Sequence, residues 1–230
     1  MQYIGFIISL ISLICTAQSS HPTNHAELNK QLFTHIYEHN SWGSQESRSG
    51  NGSTLTRTKT IRSQLPKLIA QLQITTILDA PCGDFNWMKT INLSTIDHYI
   101  GLDIVGSLIQ KNNDLYGTSN REFHVSDIVN NPLPCVDLII CRDCVQHLTD
   151  HDVFKLFANI KRSKSRYLLL SNYPQSMENN DIDQIYSTAR ITYRNLLRAP
   201  FNFPEPLLVI DEGFDSKALT LWQIDDLPDF

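Results

Sequence analysis

The chain has 230 residues, a formal net charge of −5 and 41% hydrophobic residues, which suits one globular domain with short additions. Because binding to a nucleic-acid backbone depends on clustered lysine and arginine, the acidic balance argues against a nucleic-acid partner. Five cysteines in a chain of this length do not make a disulfide framework. We expect buried free thiols at the four that follow the amino-terminal segment, which are Cys82, Cys135, Cys141 and Cys144.

An apolar run opens the chain. It extends from Ile4 to Cys15, is interrupted only by two serines, and is too short to span a bilayer comfortably. Cys15-Thr16-Ala17 then places small residues where a signal peptidase would cut. We therefore predict an export signal over residues 1–17 and no stable membrane span. Because no lysine or arginine precedes the run, an uncleaved membrane anchor and a cytoplasmic location stay open.

Residues 18–58 are predicted to form an amino-terminal helix and a loop. Apolar residues recur at helical spacing from Ala26 to Asn40, whereas the segment from Trp42 to Arg57 is polar and rich in glycine and serine. Two interpretations of this loop stay open. It is either a flexible linker or a lid over a bound cofactor, with Trp42 as the packing or stacking residue.

Strand and helix patterns alternate through residues 59–230. A helical stripe runs from Ile61 to Leu72, and we expect that helix to kink or restart at Pro66. Strands are then predicted at Thr75–Asp79, Tyr99–Asp103, Glu122–Ser126, Val136–Cys141 and Tyr167–Asn172, and helices at Asp84–Ile91, Gly106–Leu115, Asp150–Ile160 and Asp183–Leu197. The alternation predicts an α/β fold with a Rossmann-like, doubly wound and mostly parallel seven-stranded sheet. Its last two strands, Leu207–Ile210 and Ala218–Ile224, lack an intervening helix and predict an antiparallel hairpin.

Three carboxylates, Asp79, Asp103 and Asp127, each close a short apolar run. Because ligands of open α/β sheets bind outside the carboxyl ends of the strands, these acids predict a site for a nucleoside cofactor. The first turn has Pro81 and Phe85 at the outer positions where a dinucleotide site needs glycine, and the chain has no Walker loop. A nicotinamide-dependent oxidoreductase is therefore disfavoured, and the turn suits a cofactor that has no phosphates.

The order of the elements, the turn Asp79–Gly83 and the acids Asp103 and Asp127 together resemble the class I S-adenosylmethionine-dependent methyltransferase superfamily. The sequence is most similar to a poorly characterised group of that superfamily whose first turn reads Asp-Ala/Leu-Pro-Cys-Gly-Asp-Phe. The matching segments are Asp79–Met88, Cys141–Cys144 with His147-Leu148, and Pro200–Pro204. The resemblance implies the fold and the cofactor S-adenosylmethionine, but it says little about the substrate.

The chemistry of adenosine assigns a role to each acid. Asp103 can accept hydrogen bonds from the ribose hydroxyls, and Asp127 can accept one from the adenine amino group while Ile128 packs on the ring. Asp79, with the backbone around it, would hold the methionine part, or else it caps the following helix. The predicted cofactor-binding set is Asp79, Ala80, Cys82, Gly83, Asp103, Ile104, Asp127, Ile128, Cys141 and Arg142, of which the resemblance alone places Cys141 and Arg142 near the sulfonium.

Two residues after the fourth strand are the catalytic candidates. In-line methyl transfer depends mostly on positioning, and a base is needed only when the acceptor must lose a proton. His147 is the candidate base or acceptor-orienting group, or it simply packs at a helix start. Asp143 would orient His147, bind substrate, or cap a helix. Cys141, Cys144, His147 and His151 have the residue types of a zinc site, but their spacing is too compact, and we predict neither a metal nor a redox cysteine pair.

These inferences predict a monomeric enzyme whose methyltransferase domain covers residues 59–230. It would transfer a methyl group from S-adenosylmethionine to an unidentified small-molecule or sugar-like acceptor. The alternative is a catalytically inactive module that binds or senses the same cofactor.

Overall fold

The fold is taken from a computed structural model that describes residues 25–182 and 191–230. The export signal predicted over residues 1–17 lies outside these ranges, as does the first part of the helix predicted at Asp183–Leu197. No helix within the described ranges is both long and apolar enough to cross a bilayer.

Seven strands form a single sheet in the order β3-β2-β1-β4-β5-β7-β6. The strands are β1 (Thr76–Asp79), β2 (His98–Asp103), β3 (Arg121–Val125), β4 (Leu138–Cys141), β5 (Tyr167–Asn172), β6 (Leu208–Asp211) and β7 (Ala218–Gln223). The first five are parallel to one another, and β7 runs antiparallel to both β5 and β6. The prediction of a mostly parallel, Rossmann-like sheet that ends in an antiparallel hairpin is confirmed.

Four α-helices accompany the sheet within the described ranges: α1 (His25–His39), α2 (Lys59–Leu72), α3 (Gly106–Tyr116) and α4 (Asp150–Arg162). The helix α2 continues across Pro66 without a restart. Its buried stripe, which includes Leu65, Leu68 and Ile69, packs on the sheet and compensates for the hydrogen bond that proline cannot donate.

The helix predicted at Asp84–Ile91 does not form. The segment is a series of turns with one short 3₁₀ turn at Met88–Thr90. Gly83 and Phe85 have φ angles of 53° and 59°, a left-handed conformation that no α-helix accommodates. Phe85 uses this turn to place its ring against Tyr99 and Phe123 in the core, so its apolar character reflects burial and not helical periodicity.

Residues 191–197, the described part of the last predicted helix, are also not helical. The buried Arg194 guanidinium donates to the carbonyls of Val145 and Leu148, and Nη2 of the same side chain lies 2.7 Å from Oδ1 of Asp150. These contacts hold the segment in an irregular conformation along the loop that follows β4. An α-helix could not follow the course of that loop.

Side chains of the central strands alternate between two apolar cores, one on each face of the sheet. In β4, Leu138 and Ile140 face the core that contains α2 and α3, whereas Ile139 and Cys141 face the core that contains α4. The free thiols of Cys82, Cys141 and Cys144 are buried as expected, but Cys135 is exposed because it lies in the loop before β4.

Candidate functional site

An open cleft with about 1030 Å³ of empty space lies at the carboxyl ends of β1 to β4. This is where ligands bind in open α/β sheets. The strand ends supply the floor. The first helix and the loop that follows it supply the roof, through Asn29, Phe33, Tyr37, Trp42, Arg48, Ser49 and Ser53.

Most of the predicted site residues meet in this cleft. The lining includes Asp79, Cys82, Gly83, Asp103, Ile104, Asp127, Ile128, Arg142, Asp143 and His147. The side chains of Ala80 and Cys141 do not line it. Cys141 is wholly buried on the α4 side of the sheet, because alternation along β4 turns its side chain away from the cleft. A hydrogen bond to Cys144 and burial both hold the pKa of the Cys141 thiol well above its usual value.

Asp103, the last residue of β2, organises the first turn. Its Oδ2 accepts from the backbone N–H of Gly83 at 3.1 Å, and its Oδ1 accepts from the backbone N–H of Val105 at 3.0 Å. Burial raises the pKa of this carboxyl to about 6, and backbone donors at Val105, Gly83 and Ile104 oppose the rise. Because a carboxylate has about four acceptor sites, Asp103 retains acceptor capacity toward the cleft.

Asp79, the last residue of β1, is tied to the neighbouring strand. The hydroxyl of Tyr99 donates to its Oδ2 at 2.5 Å, and burial raises the pKa of the carboxyl to about 7. The alternative role as a helix cap does not apply, since no α-helix follows the turn. Asp79 is therefore a cleft acid whose protonation changes close to neutral pH.

Asp127 follows β3 and shapes its own loop. Its Oδ1 accepts from the backbone N–H of Val129 at 2.9 Å, and its Oδ2 accepts from the side chain of Asn130 at 2.7 Å. This local turn presents Asp127 and the buried Ile128 side by side on the cleft wall. A carboxylate and an apolar side chain thus lie next to each other at the carboxyl end of β3.

The segment 42–57 packs over the first turn; we call it the lid. The carboxylate of Asp84 accepts from the hydroxyl of Ser47 at 2.9 Å and from the backbone N–H of Arg48 at 2.8 Å, and its own N–H donates to Ser49 at 2.8 Å. A Cβ on Gly83 would lie 2.5 Å from the Ser49 hydroxyl oxygen, and the φ of +53° at this position also favours glycine. The lid and the first turn are therefore built to fit closely.

Trp42 joins the lid to the catalytic candidate His147. The centroids of the two rings are 5.8 Å apart with 32° between the planes, and Phe33 from α1 meets His147 edge-on at 6.2 Å. Trp42 also packs against Gly50, where a Cβ would come within 3.4 Å of the indole. Trp42 thus contacts both Gly50 of the lid and His147, and it lines the cleft beside them.

Burial lowers the pKa of His147 to about 4, and the nearby Asp143 opposes this shift only in part. The imidazole is consequently neutral at physiological pH, free to accept a proton but only weakly basic.

The second catalytic candidate, Asp143, lies in a charge network. Its Oδ1 accepts from the ammonium of Lys217 at 2.8 Å and from the amide of Gln146 at 2.9 Å, and its Oδ2 is 3.0 Å from Nη1 of Arg142. These cations hold the pKa of Asp143 well below its ordinary value. The same network contains Glu212, whose Oε2 accepts from Nη2 of Arg142 at 2.6 Å.

Sequence reasoning missed Glu212 and Lys217, because charged residues in a turn between two strands carry the pattern of a solvated loop. It also missed Arg48, whose guanidinium donates to the last carbonyls of α1. In the part of the chain that the structure covers, no group of three or more His, Cys, Asp and Glu side chains is arranged to hold a metal ion.

Comparison with known proteins shows a similarity in fold. No family model matches the sequence, and no curated protein matches it significantly. The N-methyltransferase NodS from Bradyrhizobium japonicum WM9, solved with S-adenosyl-L-homocysteine, matches with a TM-score of 0.61 at 10% identity, over 83% of this chain and 97% of that chain. Magnesium protoporphyrin IX methyltransferase from Synechocystis PCC 6803, with bound S-adenosylhomocysteine, gives 0.58 at 14% identity, over 87% and 99%.

A third solved structure, Haemonchus contortus phosphoethanolamine N-methyltransferase 1 with S-adenosylhomocysteine, gives a TM-score of 0.52 at 18% identity. The match covers 74% of this chain but spans only 39% of that longer protein. Together with the strand order, these likenesses show that the chain has the Rossmann-like fold of class I S-adenosylmethionine-dependent methyltransferases.

Proposed function

We propose that the chain binds S-adenosylmethionine in the cleft and transfers its methyl group to a small acceptor. The observation that carries this proposal is the convergence of Asp79, Asp103 and Asp127, from the ends of three adjacent parallel strands, on one cleft. The cofactor fits the residues present, because Asp103 has acceptor capacity left and Asp127 lies beside the apolar Ile128. When bound, the cofactor supplies an electrophilic methyl group on a sulfonium.

Each of the three acids would bind a different part of the cofactor. Asp103 binds the two ribose hydroxyls, and Asp127 accepts from the adenine amino group while Ile128 packs on the ring. Asp79 faces the methionine part, where its negative charge complements the ammonium and the sulfonium. Cys82, Gly83 and Ile104 border the same region of the cleft, and Arg142 closes it under the lid.

The acceptor would lie on the side of His147, under α1 and the lid. Because the imidazole is neutral, its free nitrogen can receive a proton from the acceptor or orient it by a hydrogen bond. Asp143 keeps its negative charge for Lys217 and Arg142 and takes no proton. The close roof of Phe33, Trp42 and Arg48 suits a small-molecule or sugar-like acceptor better than a macromolecule.

A second candidate function is a module that binds the cofactor without turnover. The weak basicity of His147 and the complete pairing of Asp143 favour it, since neither group is a strong base. Acceptors that react through a free lone pair need no base, so the same observation is compatible with methyl transfer.

One experiment separates the two functions. Purified protein is titrated with S-adenosylhomocysteine by calorimetry, and is then incubated with methyl-labelled cofactor and a cell extract in which labelled products are identified. Binding together with a labelled product supports the methyltransferase. Binding without product, across extracts and a panel of pure amines, phenols and sugars, supports the module, and absence of binding contradicts both.

A further inference from the structure

A buried charge network connects the closing hairpin to the cleft. Glu212 directly follows β6 and Lys217 directly precedes β7, yet these two turn residues are only 2% and 6% exposed. The ammonium of Lys217 lies 2.8 Å from Oδ1 of Asp143 and 3.2 Å from Oε2 of Glu212. The carboxylate of Glu212 in turn accepts from Nη2 of Arg142 at 2.6 Å and from Nε at 3.3 Å.

Arg142 extends this network to the lid. The Nη2 atom that binds Glu212 also donates to the backbone carbonyl of Gly52 at 2.8 Å. The lid approaches closely at this point, since a Cβ on Gly52 would lie 2.7 Å from Oδ2 of Asp143. The guanidinium also lies 5.8 Å from the ring of Trp87. One side chain at the end of β4 thus holds the lid backbone, and two of its nitrogens are oriented by Glu212.

The charges of the network balance. Arg142 and Lys217 carry two positive charges, Asp143 and Glu212 carry two negative ones, and no other charged side chain of the described chain forms an ion pair with these four. Removing one member of a buried pair leaves its partner without compensation, which is far more costly than losing an exposed ion pair. Without the Glu212 charge, Asp143 alone would face two cations, and the guanidinium of Arg142 would lose the charge-assisted hydrogen bonds that orient its Nε and Nη2 atoms.

We propose that Glu212 is a positioning residue, which acts through Arg142 to hold the lid against the cleft and so slows release of the bound cofactor. The part that concerns the cofactor rests on the function proposed above; the part that concerns the lid does not. Glu212 does not line the cleft; of its two cationic partners, Arg142 is the one that lines the cleft and binds the lid backbone.

The test begins with the full chain without any ligand. Hydrogen exchange is followed in the lid peptides of wild type and of Glu212→Gln. We expect exchange in residues 42–57 to become about tenfold faster, the factor that corresponds to one charge-assisted hydrogen bond, with no change in β1 and β4. The control is Asp137→Asn, which removes an ion pair with Arg166 and weakens hydrogen bonds from Thr75 and Thr76 at the amino end of β1, away from the lid.

The second measurement is the dissociation rate of S-adenosylhomocysteine by stopped-flow tryptophan fluorescence. We expect release to be about tenfold faster from Glu212→Gln, with little change in the association rate, and to be unchanged in Asp137→Asn. Glu212→Asp, which keeps the charge but shortens the reach, should loosen the lid in the same direction, and it decides the question if the glutamine variant does not fold.

Two results would overturn the proposal: unchanged lid exchange in a folded Glu212 variant, or equal acceleration of lid exchange in Asp137→Asn. If wild type does not bind S-adenosylhomocysteine at all, the proposed function fails, while the exchange data still decide the role of Glu212.

Discussion

Replacing Asp103 by asparagine tests the ribose site with little change in shape. The Asp103 carboxylate accepts a backbone N–H on each oxygen, from Gly83 and from Val105. An asparagine keeps one of these acceptors and loses the other, together with the charge. The negative acceptor that we assign to both ribose hydroxyls is lost in the same step.

The expected cost follows from these bonds. Hydrogen bonds to a charged group contribute about 1.5–3 kcal/mol each, and asparagine retains part of that interaction, so we expect binding to weaken by about 1–3 kcal/mol. This corresponds to a rise in the Kd for S-adenosylhomocysteine of about 5-fold to 140-fold. Because burial raises the pKa of Asp103 to about 6, the charged carboxylate is unfavourable in the fold, and its removal offsets part of the lost backbone hydrogen bond. The free energy of unfolding should therefore change less than the free energy of cofactor binding.

Calorimetric titration measures the Kd, and urea denaturation measures the free energy of unfolding. Asp97→Asn is the matched control, since Asp97 is exposed and precedes the same strand at the opposite edge of the sheet. The control should bind like wild type. An unchanged Kd for Asp103→Asn would remove Asp103 from the site and refute the assignment.

Three further predictions concern the neighbouring residues. Asp79 has a pKa raised to about 7, so its contribution to stability is complete below the unfolded pKa of about 3.9 and is lost as the pH rises through 7. The free energy of unfolding of Asp79→Asn, relative to that of wild type, should therefore increase from pH 5 to pH 8. An equal difference between the two proteins at both pH values in urea denaturation would refute this. His147→Ala should slow turnover by about a hundredfold, the lower end of what a positioned base contributes, with cofactor affinity unchanged in calorimetry. Full activity would leave His147 as packing only. Asp84→Asn should weaken the bonds to Ser47 and speed tryptic cleavage after the exposed Arg48 severalfold, and unchanged cleavage would show that Asp84 does not hold the lid.

The architecture was predictable because the burial of strands and helices requires apolar residues at regular spacing in the sequence. Apolar runs that end in Asp79 and Asp103 gave the positions of β1 and β2 to within a residue. The two apolar strands without a helix between them gave the closing hairpin. The start of α4 is set by a local contact that the sequence analysis did not use, since the hydroxyl of Thr149 accepts from the N–H of Asp152 as an N-cap.

The turn after β1 shows where periodicity fails. Phe85, Met88 and Ile91 have a helical spacing, and all three are buried. Burial at this spacing does not require a helix, and a positive φ at a non-glycine residue such as Phe85 has no sequence signal. Tertiary contacts with Tyr99 and Phe123 determine this turn, and they come from strands that follow it in the chain.

The site was predictable where strand ends define it and unpredictable where distant loops meet. The acids at the ends of β1, β2 and β3 follow from topology. The partners of Arg142 and Asp143 do not, because Glu212 and Lys217 are separated from them by 70 and 74 residues and belong to a turn. Only the register of β7 on β5 brings that turn to the cleft.

A crystal structure of the protein with S-adenosylhomocysteine would show directly whether the strand-end acids bind the cofactor. We expect the ligand in the cleft at the carboxyl ends of β1 to β4, with both ribose hydroxyls within hydrogen-bond distance of Asp103 and the adenine amino group within hydrogen-bond distance of Asp127. A ligand bound elsewhere, or bound in the cleft with neither acid in contact, would contradict it.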